Sequence, residues 1–188
     1  PVRVDPYFRR WYLFYQRGKA VRLKNSVQGR RDAFIRHLDE AMERSRRAKQ
    51  QISVILINVD NFQLINEFYG HPAGDQLLRT IAKQIKRCTR LTDRMGRLGG
   101  DAFCLALPKS SVTGGQVVAE RIRAMVERTE VLMGDVRAGC SLSLCGVTVS
   151  SHNTCDAVEL LQTLQDALDT ARQQGRNRVR WLGSPEAP

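Results

Sequence analysis

Apolar positions recur along the chain with two different periods. Within residues 30–50, Phe34, Leu38 and Met42 follow one another at four-residue spacing, which predicts an amphipathic helix. Residues 52–59 form a continuous run rich in β-branched side chains, a pattern typical of a central strand that is covered on both faces. The sequence therefore predicts a helix followed by the core strand of a sheet.

Glycine and proline residues divide the rest of the chain into shorter elements. A helix at 62–69 stops at Gly70, and Gly99 and Gly100 can supply the positive φ angles that a tight turn between two strands needs. The other predicted elements are a linker helix at 7–20, a helix at about 76–89, strands at 95–98 and 102–107, a helix at about 114–130, a strand at about 138–149, a helix at about 156–174 and a strand at 178–182. This order predicts an α+β fold, in which helices flank a central mixed, mostly antiparallel five-stranded sheet of the ferredoxin-like or polymerase-palm kind.

Length and composition favour one soluble domain. With 188 residues and 42% hydrophobic content, the chain can build one well-buried core, and it contains neither an apolar run long enough to span a membrane nor a signal peptide. We expect a cytoplasmic piece of a longer protein, which is compatible with a membrane anchor elsewhere in the parent protein. The piece consists of a helical linker from an upstream domain at 1–24, the globular domain at 25–182 and a C-terminal linker at 183–188. The five cysteines are odd in number and lack a C-x-x-C pair, so we expect reduced thiols, no disulfide and no zinc.

The net charge of +11 is concentrated at one end of the chain. Residues 1–50 carry 14 Lys and Arg against 5 Asp and Glu, and residues 51–188 carry 16 against 14. Aromatic residues interleave with the N-terminal charges, which is compatible with a nucleic-acid or membrane-surface segment. Because the globular part is nearly balanced, we favour a linker helix and expect no nucleic-acid partner.

Three motifs resemble one known family. Residues 97–103 read Arg-Leu-Gly-Gly-Asp-Ala-Phe and resemble the R-[YL]-G-G-[DE]-E-F signature of the diguanylate cyclases, or GGDEF domains. Residues 58–75 resemble the family's D-[IV]-D-x-F-K-x-[IV]-N-[DE]-x-[FY]-G-H-x-x-G-D, and residues 167–179 resemble A-[LM]-Y-x-A-K-x-x-G-[RK]-N-R-[VY]. The signature positions are Gly99, Gly100, Asp101, Ala102 and Phe103, and Ala102 stands where the family has glutamate. The resemblance covers roughly residues 22–182 and implies a GGDEF domain with the palm-like fold.

The resemblance implies a reaction that depends on metal ions. In the family, two domains face each other with one GTP each, and the 3′-hydroxyl of each GTP attacks the α-phosphorus of the other with loss of pyrophosphate. The reaction usually needs two Mg²⁺ ions, which require carboxylate oxygens. The implied ligands are Asn58 (aspartate in the family), the carbonyl of Val59, Asp101 and Ala102, so two acidic positions are lost. We therefore expect Mg²⁺ binding to be weak or lost, and we do not count Asp60, whose family role is structural, as a replacement.

Other positions implied by the resemblance could still bind a nucleotide. Asn66 and Asp75 match the residues that read guanine, although each could instead cap a turn or a helix. Arg97, Arg172 and Arg176 match the basic positions that contact phosphates, with a solvated helix face as the alternative. Two departures weaken the expected pocket: Gln63 replaces a lysine, and the family's opening D-x-L-T-G-L segment is barely recognisable at 22–34.

One regulatory motif matches in full. Arg90 and Asp93 form an R-x-x-D pair five residues before Gly99, which is the family's position for the inhibitory site that binds cyclic di-GMP. A surface ion pair between the two side chains is the alternative.

These observations leave three hypotheses. The first is a degenerate GGDEF domain that binds GTP or cyclic di-GMP and regulates a neighbouring sensor or phosphodiesterase domain. The second is an active diguanylate cyclase with an unusual metal site. The third is a scaffold that forms a homodimer without binding nucleotide.

Overall fold

The computed structural model describes residues 27–133, 136–152 and 154–183. The predicted linker helix at 7–20 and the segment 184–188 lie outside these ranges. The described elements are helix α1 (Val27–Arg47), strand β1 (Ile52–Val59), helices α2 (Phe62–Tyr69) and α3 (His71–Arg87), strands β2 (Arg94–Gly99) and β3 (Ala102–Pro108), helix α4 (Val112–Glu127), strands β4 (Glu130–Met133), β5 (Val136–Gly139) and β6 (Leu142–Val149), helix α5 (Ala157–Gln173) and strand β7 (Val179–Leu182).

Five of the strands form one sheet in the order β2-β3-β1-β6-β7. Neighbouring strands are antiparallel except β6 and β7, which are parallel. All eight residues of β1 are buried, as the β-branched run predicts for a central strand. The α+β class and the mixed, mostly antiparallel five-stranded sheet are confirmed.

The side chains of β1 alternate between two apolar clusters, one on each face of the sheet. Val54 and Leu56 join the cluster that α1 and α5 cover, whereas Ile55 and Ile57 join the cluster that α3 and α4 cover. Asn58 continues the first series at the end of the strand, on the face that α1 and α5 cover. The candidate functional residues at this end of the sheet therefore face the helices on both of its sides.

Two parts of the predicted element pattern are wrong. Helix α3 begins at His71 and not at about 76, because Pro72 is compatible with the first turn of a helix. The predicted strand at 138–149 is two strands: β6 begins at Leu142, and β5 pairs with β4 in a separate two-stranded sheet. Helix α4 ends at Glu127 because the chain then turns to bury Val131 in the core as part of β4.

No helix in the described part of the chain is both long enough and apolar enough to cross a bilayer.

Candidate nucleotide site

The signature residues form the tip of a hairpin, which consists of β2, β3 and the two residues Gly100 and Asp101 between them. Gly99 has φ 142° and Gly100 has φ 47°, while a Cβ atom at either position would meet nothing within 4 Å. The hairpin therefore needs glycine for its backbone angles and not for space. Arg97 donates from Nε and Nη2 to the carbonyl of Gly100, at 2.9 and 2.5 Å, and Phe103 is buried in the core at the base of the hairpin. These contacts hold Asp101 at the tip.

The end of β1 lies beside the hairpin tip. Asn58 pairs with Ala102 across the two strands, and the backbone N–H of Val59 donates to the carbonyl of Asp101 at 3.2 Å. The Asn58 amide is only 6% exposed, and its Nδ2 donates to Asp101 Oδ1 at 3.5 Å. Burial raises the pKa of Asp101, and the positive charge of Arg172 acts in the opposite direction. The structure thus brings together the four positions that the resemblance assigns to metal.

The donor atoms at these four positions do not fit a pair of Mg²⁺ ions. Asn58 Oδ1 is buried without a hydrogen-bond partner in the described ranges, so an amide oxygen is available, but it carries no charge. Asp101 supplies a single carboxylate, and Ala102 offers only a methyl group that packs against the core. Two dications in a partly buried site need several carboxylates to offset their charge. Among the described residues, no group of three or more His, Cys, Asp or Glu side chains could hold a metal ion.

The two candidate guanine-reading residues lie close together. The side chain of Asn66, on α2, lies against Gly74, which immediately precedes Asp75 on α3. Asp75 lines a cavity of about 340 Å³ between α3 and the hairpin. The residues that line this cavity are Asp75, Leu78, Arg79, Ala82, Met95, Arg97 and Phe103. Because Asp75 lies inside α3, it cannot cap a helix that begins at residue 76, and that alternative is wrong. The Asn66 side chain likewise caps no turn, because its Oδ1 is buried without a hydrogen-bond partner among the described residues.

Basic side chains lie on both sides of the hairpin tip. Arg97 lines the cavity, and Arg172 approaches from α5, where its Nη1 lies 3.8 Å from Asp169 Oδ1. Arg172 is close enough to Asp101 to affect the pKa of that carboxyl group. Arg176 is exposed in the turn after α5, with a left-handed φ of 50°. Two of the three predicted phosphate contacts therefore surround Asp101.

A buried hydrogen-bond network fixes the backbone beside Arg176. Asp60 is 2% exposed and accepts hydrogen bonds from Ser141 Oγ at 2.6 Å, Ser143 Oγ at 2.7 Å and the backbone N–H of Asn177 at 3.1 Å. This agrees with a structural role for Asp60. The motif comparison missed the contributions of the two serines, because an isolated serine in or next to a strand carries no recognisable sequence signal.

Arg90 and Asp93 occupy the turn between α3 and β2. The Asp93 carboxyl group accepts a hydrogen bond from the backbone N–H of Arg90 at 2.7 Å, and the backbone N–H of Asp93 donates to the carbonyl of Arg90 at 3.1 Å. None of the ion pairs among the described residues joins the two side chains, so the surface ion pair expected as an alternative is wrong. The guanidinium group is exposed, and binding of cyclic di-GMP here stays a prediction.

The family model for "Diguanylate cyclase, GGDEF domain" matches residues 28–178 of the chain. The chain belongs to the GGDEF family. Diguanylate cyclase A of Treponema denticola is 37% identical to this GGDEF domain over 131 residues, which are 70% of this chain and 35% of that protein. The chain thus spans about a third of the length of this curated relative.

Solved GGDEF structures share the fold. Diguanylate cyclase SiaD of Pseudomonas aeruginosa, in complex with its activator SiaC, is 26% identical with a TM-score of 0.76 and covers 94% of this chain and 68% of its own. The active GGEEF domain of a diguanylate cyclase from Vibrio cholerae is 27% identical with a TM-score of 0.70 and covers 83% and 97%. The name GGEEF contains two acidic residues before phenylalanine, whereas this GGDEF domain has Asp101 and Ala102.

Proposed function

We propose that this GGDEF domain binds guanine nucleotides in the cytoplasm as a regulatory module of a cyclic di-GMP signalling protein, and that it condenses GTP poorly or not at all. One observation carries the proposal: among the four positions that the resemblance assigns to metal, Asp101 supplies the single carboxylate, and its neighbours there are the Asn58 amide and the Ala102 methyl group. The relatives named diguanylate cyclases support the signalling context.

The charges around the hairpin tip favour an anionic ligand over a cationic one. Arg97 and Arg172 both lie near enough to Asp101 to act on its pKa, so two positive groups surround one acidic group. Removing one group that stabilises charge in a transition state commonly lowers kcat about 10² to 10³-fold, and two such groups are absent here. A triphosphate can therefore bind at this site although the condensation is slow.

The groove beside α3 supports recognition of the base. The cavity of about 340 Å³ combines apolar walls, from residues such as Leu78 and Phe103, with the carboxyl group of Asp75. A planar base can pack against the apolar walls, and a carboxylate can accept the N–H groups of guanine. Asn66 lies against Gly74, the residue preceding Asp75, and so brings an amide group near Asp75.

The turn at Arg90 supports a second ligand site, for cyclic di-GMP. Two hydrogen bonds preorganise the turn, one from the Arg90 N–H to the Asp93 carboxyl group and one from the Asp93 N–H to the Arg90 carbonyl, and Arg90 remains exposed. Arginine can contact both a phosphate and the acceptor edge of guanine. We expect Arg90→Ala to abolish binding of cyclic di-GMP and to leave GTP binding unchanged.

Calorimetry on the purified 188-residue chain tests the proposal. GTP with Mg²⁺ and cyclic di-GMP are titrated separately, and the GTP sample is assayed for cyclic di-GMP. We expect GTP binding without appreciable product, and a loss of GTP affinity in Asp75→Asn but not in Asp166→Asn, a matched exposed aspartate on α5. Rapid product formation would instead favour the active cyclase, and an absence of binding to either ligand would favour the dimerisation scaffold. If the domain is regulatory, as we propose, it acts on a neighbouring sensor or phosphodiesterase domain of the parent protein.

A further inference from the structure

Gly74 breaks a local rule of helix formation. It is the fourth residue of α3, and it is buried. Glycine is a weak helix former, because it loses more backbone freedom than other residues when the helix forms. Its φ angle is not in the left-handed region, so the backbone does not require glycine here. The reason must lie in what surrounds the residue.

The space that a side chain at position 74 would occupy is taken by another residue. A Cβ atom built on Gly74 would lie 2.0 Å from Asn66 Oδ1, 3.0 Å from Asn66 Cγ and 3.1 Å from Phe62 Cζ. The amide of Asn66, which projects from α2, therefore fills the place of a side chain on α3. Because non-bonded atoms approach to only about 3.5 Å, an alanine here would displace the amide by about 1.5 Å.

The Asn66 amide is held in this place by packing alone. Its Oδ1 is buried and has no hydrogen-bond partner among the described residues. No hydrogen bond therefore accounts for the position of the amide. An unpaired buried oxygen is also unfavourable, so another contact must account for it. Its position is explained if the rest of the amide is directed to a ligand beside Asp75, the next residue along α3.

We infer that Gly74 is a positioning residue for guanine specificity: it admits the Asn66 amide to the surface of α3, next to Asp75, so that the two side chains read one base together. This inference rests on the proposed binding of guanine nucleotides. It predicts that a methyl group at position 74 weakens discrimination between bases at little cost to the fold. The clashing atom is the end of the short Asn66 side chain, which can rotate away, and alanine is the better helix former.

Binding measurements on Gly74→Ala, Asn66→Ala and the double variant test the inference. Affinities for GTP, ATP and inorganic triphosphate are measured by calorimetry with the 188-residue chain. We expect the preference for GTP over ATP to fall about tenfold in Gly74→Ala and in Asn66→Ala, which is the effect of losing one hydrogen bond to the base. The double variant should be no worse than Asn66→Ala, because both changes remove the same contact. Affinity for inorganic triphosphate should not fall, and the unfolding midpoint should change little.

Gly114→Ala is the matched control. Gly114 is also a glycine near the start of a helix, but a Cβ atom there would meet only Ser110 Oγ at 3.2 Å and Ser111 Oγ at 3.5 Å. This variant should keep the wild-type preference for GTP. If Gly74→Ala keeps it as well while the wild-type chain binds GTP, the inference is wrong and the proposed function stands. If the wild-type chain does not bind GTP at all, the inference fails, and the proposed regulatory function fails with it only if cyclic di-GMP does not bind either.

Discussion

Replacement of Asp60 by alanine should destabilise the domain strongly, although the residue is not part of the chemistry. The carboxyl group is 2% exposed and accepts hydrogen bonds from two serine hydroxyl groups and from the backbone N–H of Asn177. A hydrogen bond contributes about 1 kcal/mol net between neutral groups and up to about 3 kcal/mol when one group is charged. Alanine would leave three donors unpaired. We therefore expect the free energy of unfolding to fall by about 3 kcal/mol.

Urea denaturation of the purified chain measures this change. Asp60→Asn keeps the volume of the side chain but turns an amide N–H₂ toward at least one of the donors, so its loss should be smaller than that of Asp60→Ala. Asp166→Ala is the control, because Asp166 is exposed on α5 and should change the stability by less than about 0.5 kcal/mol. A loss below about 1 kcal/mol for Asp60→Ala would refute the view that this carboxyl group ties β1, β6 and the turn after α5 together.

Two further variants test the packing and the electrostatics of the fold. Gly146→Ala should lower the free energy of unfolding by about 1 to 3 kcal/mol, because its Cβ atom would lie 2.2 Å from the ring of Trp181, whereas Gly139→Ala, with no atom nearer than 3.9 Å, should change it little; thermal unfolding compares the two. Burial raises the pKa of Asp39, which accepts the N–H of Ala157, so the stability that protonated Asp39 contributes is present at low pH and is lost as the pH rises through its raised pKa. Asp39→Asn should therefore gain stability relative to the wild type as the pH rises above 3.8, the ordinary pKa of the carboxyl group, in urea titrations, and an unchanged difference would contradict the raised pKa.

Much of the fold follows from local patterns in the sequence. The bounds of β1 at 52–59 and of α2 at 62–69 are confirmed, because a continuous β-branched run and a terminal glycine mark them clearly. The hairpin tip is confirmed for the same kind of reason: Gly99 and Gly100 adopt the positive φ angles that the turn requires. Where one residue type satisfies a backbone requirement by itself, the sequence is sufficient to predict the local structure.

The errors arise where tertiary contacts decide the outcome. Gly74 reads as a turn signal in the sequence, but the glycine is accepted inside α3 because Asn66 packs against it from another helix. Strands β4 and β5 have four residues each, too few for a periodic pattern, and they form because they pair with each other. The ion pair of Arg90 with Asp93, considered as the alternative to a ligand site, is replaced by a hydrogen bond from backbone to the Asp93 carboxyl group, which residue spacing alone does not distinguish.

In the candidate site, too, some features could be predicted from the sequence and others depend on tertiary contacts. The sequence identifies Asn58, Asp101 and Ala102 as neighbours through the family motifs, and the strand register places Asn58 opposite Ala102. That the Asn58 amide donates to Asp101, and that Arg172 on α5 lies near enough to affect the pKa of the same carboxyl group, depends on packing and could not be predicted.

The rate of cyclic di-GMP formation from GTP and Mg²⁺, measured for the wild-type chain beside the variant Asn58→Asp/Ala102→Glu, tests the central claim most directly. The account predicts negligible product from the wild type and at least about a 10²-fold higher rate from the variant, because the two carboxylates restore charge that the metal ions need. A wild-type rate typical of enzymes that the two substitutions do not increase would contradict it.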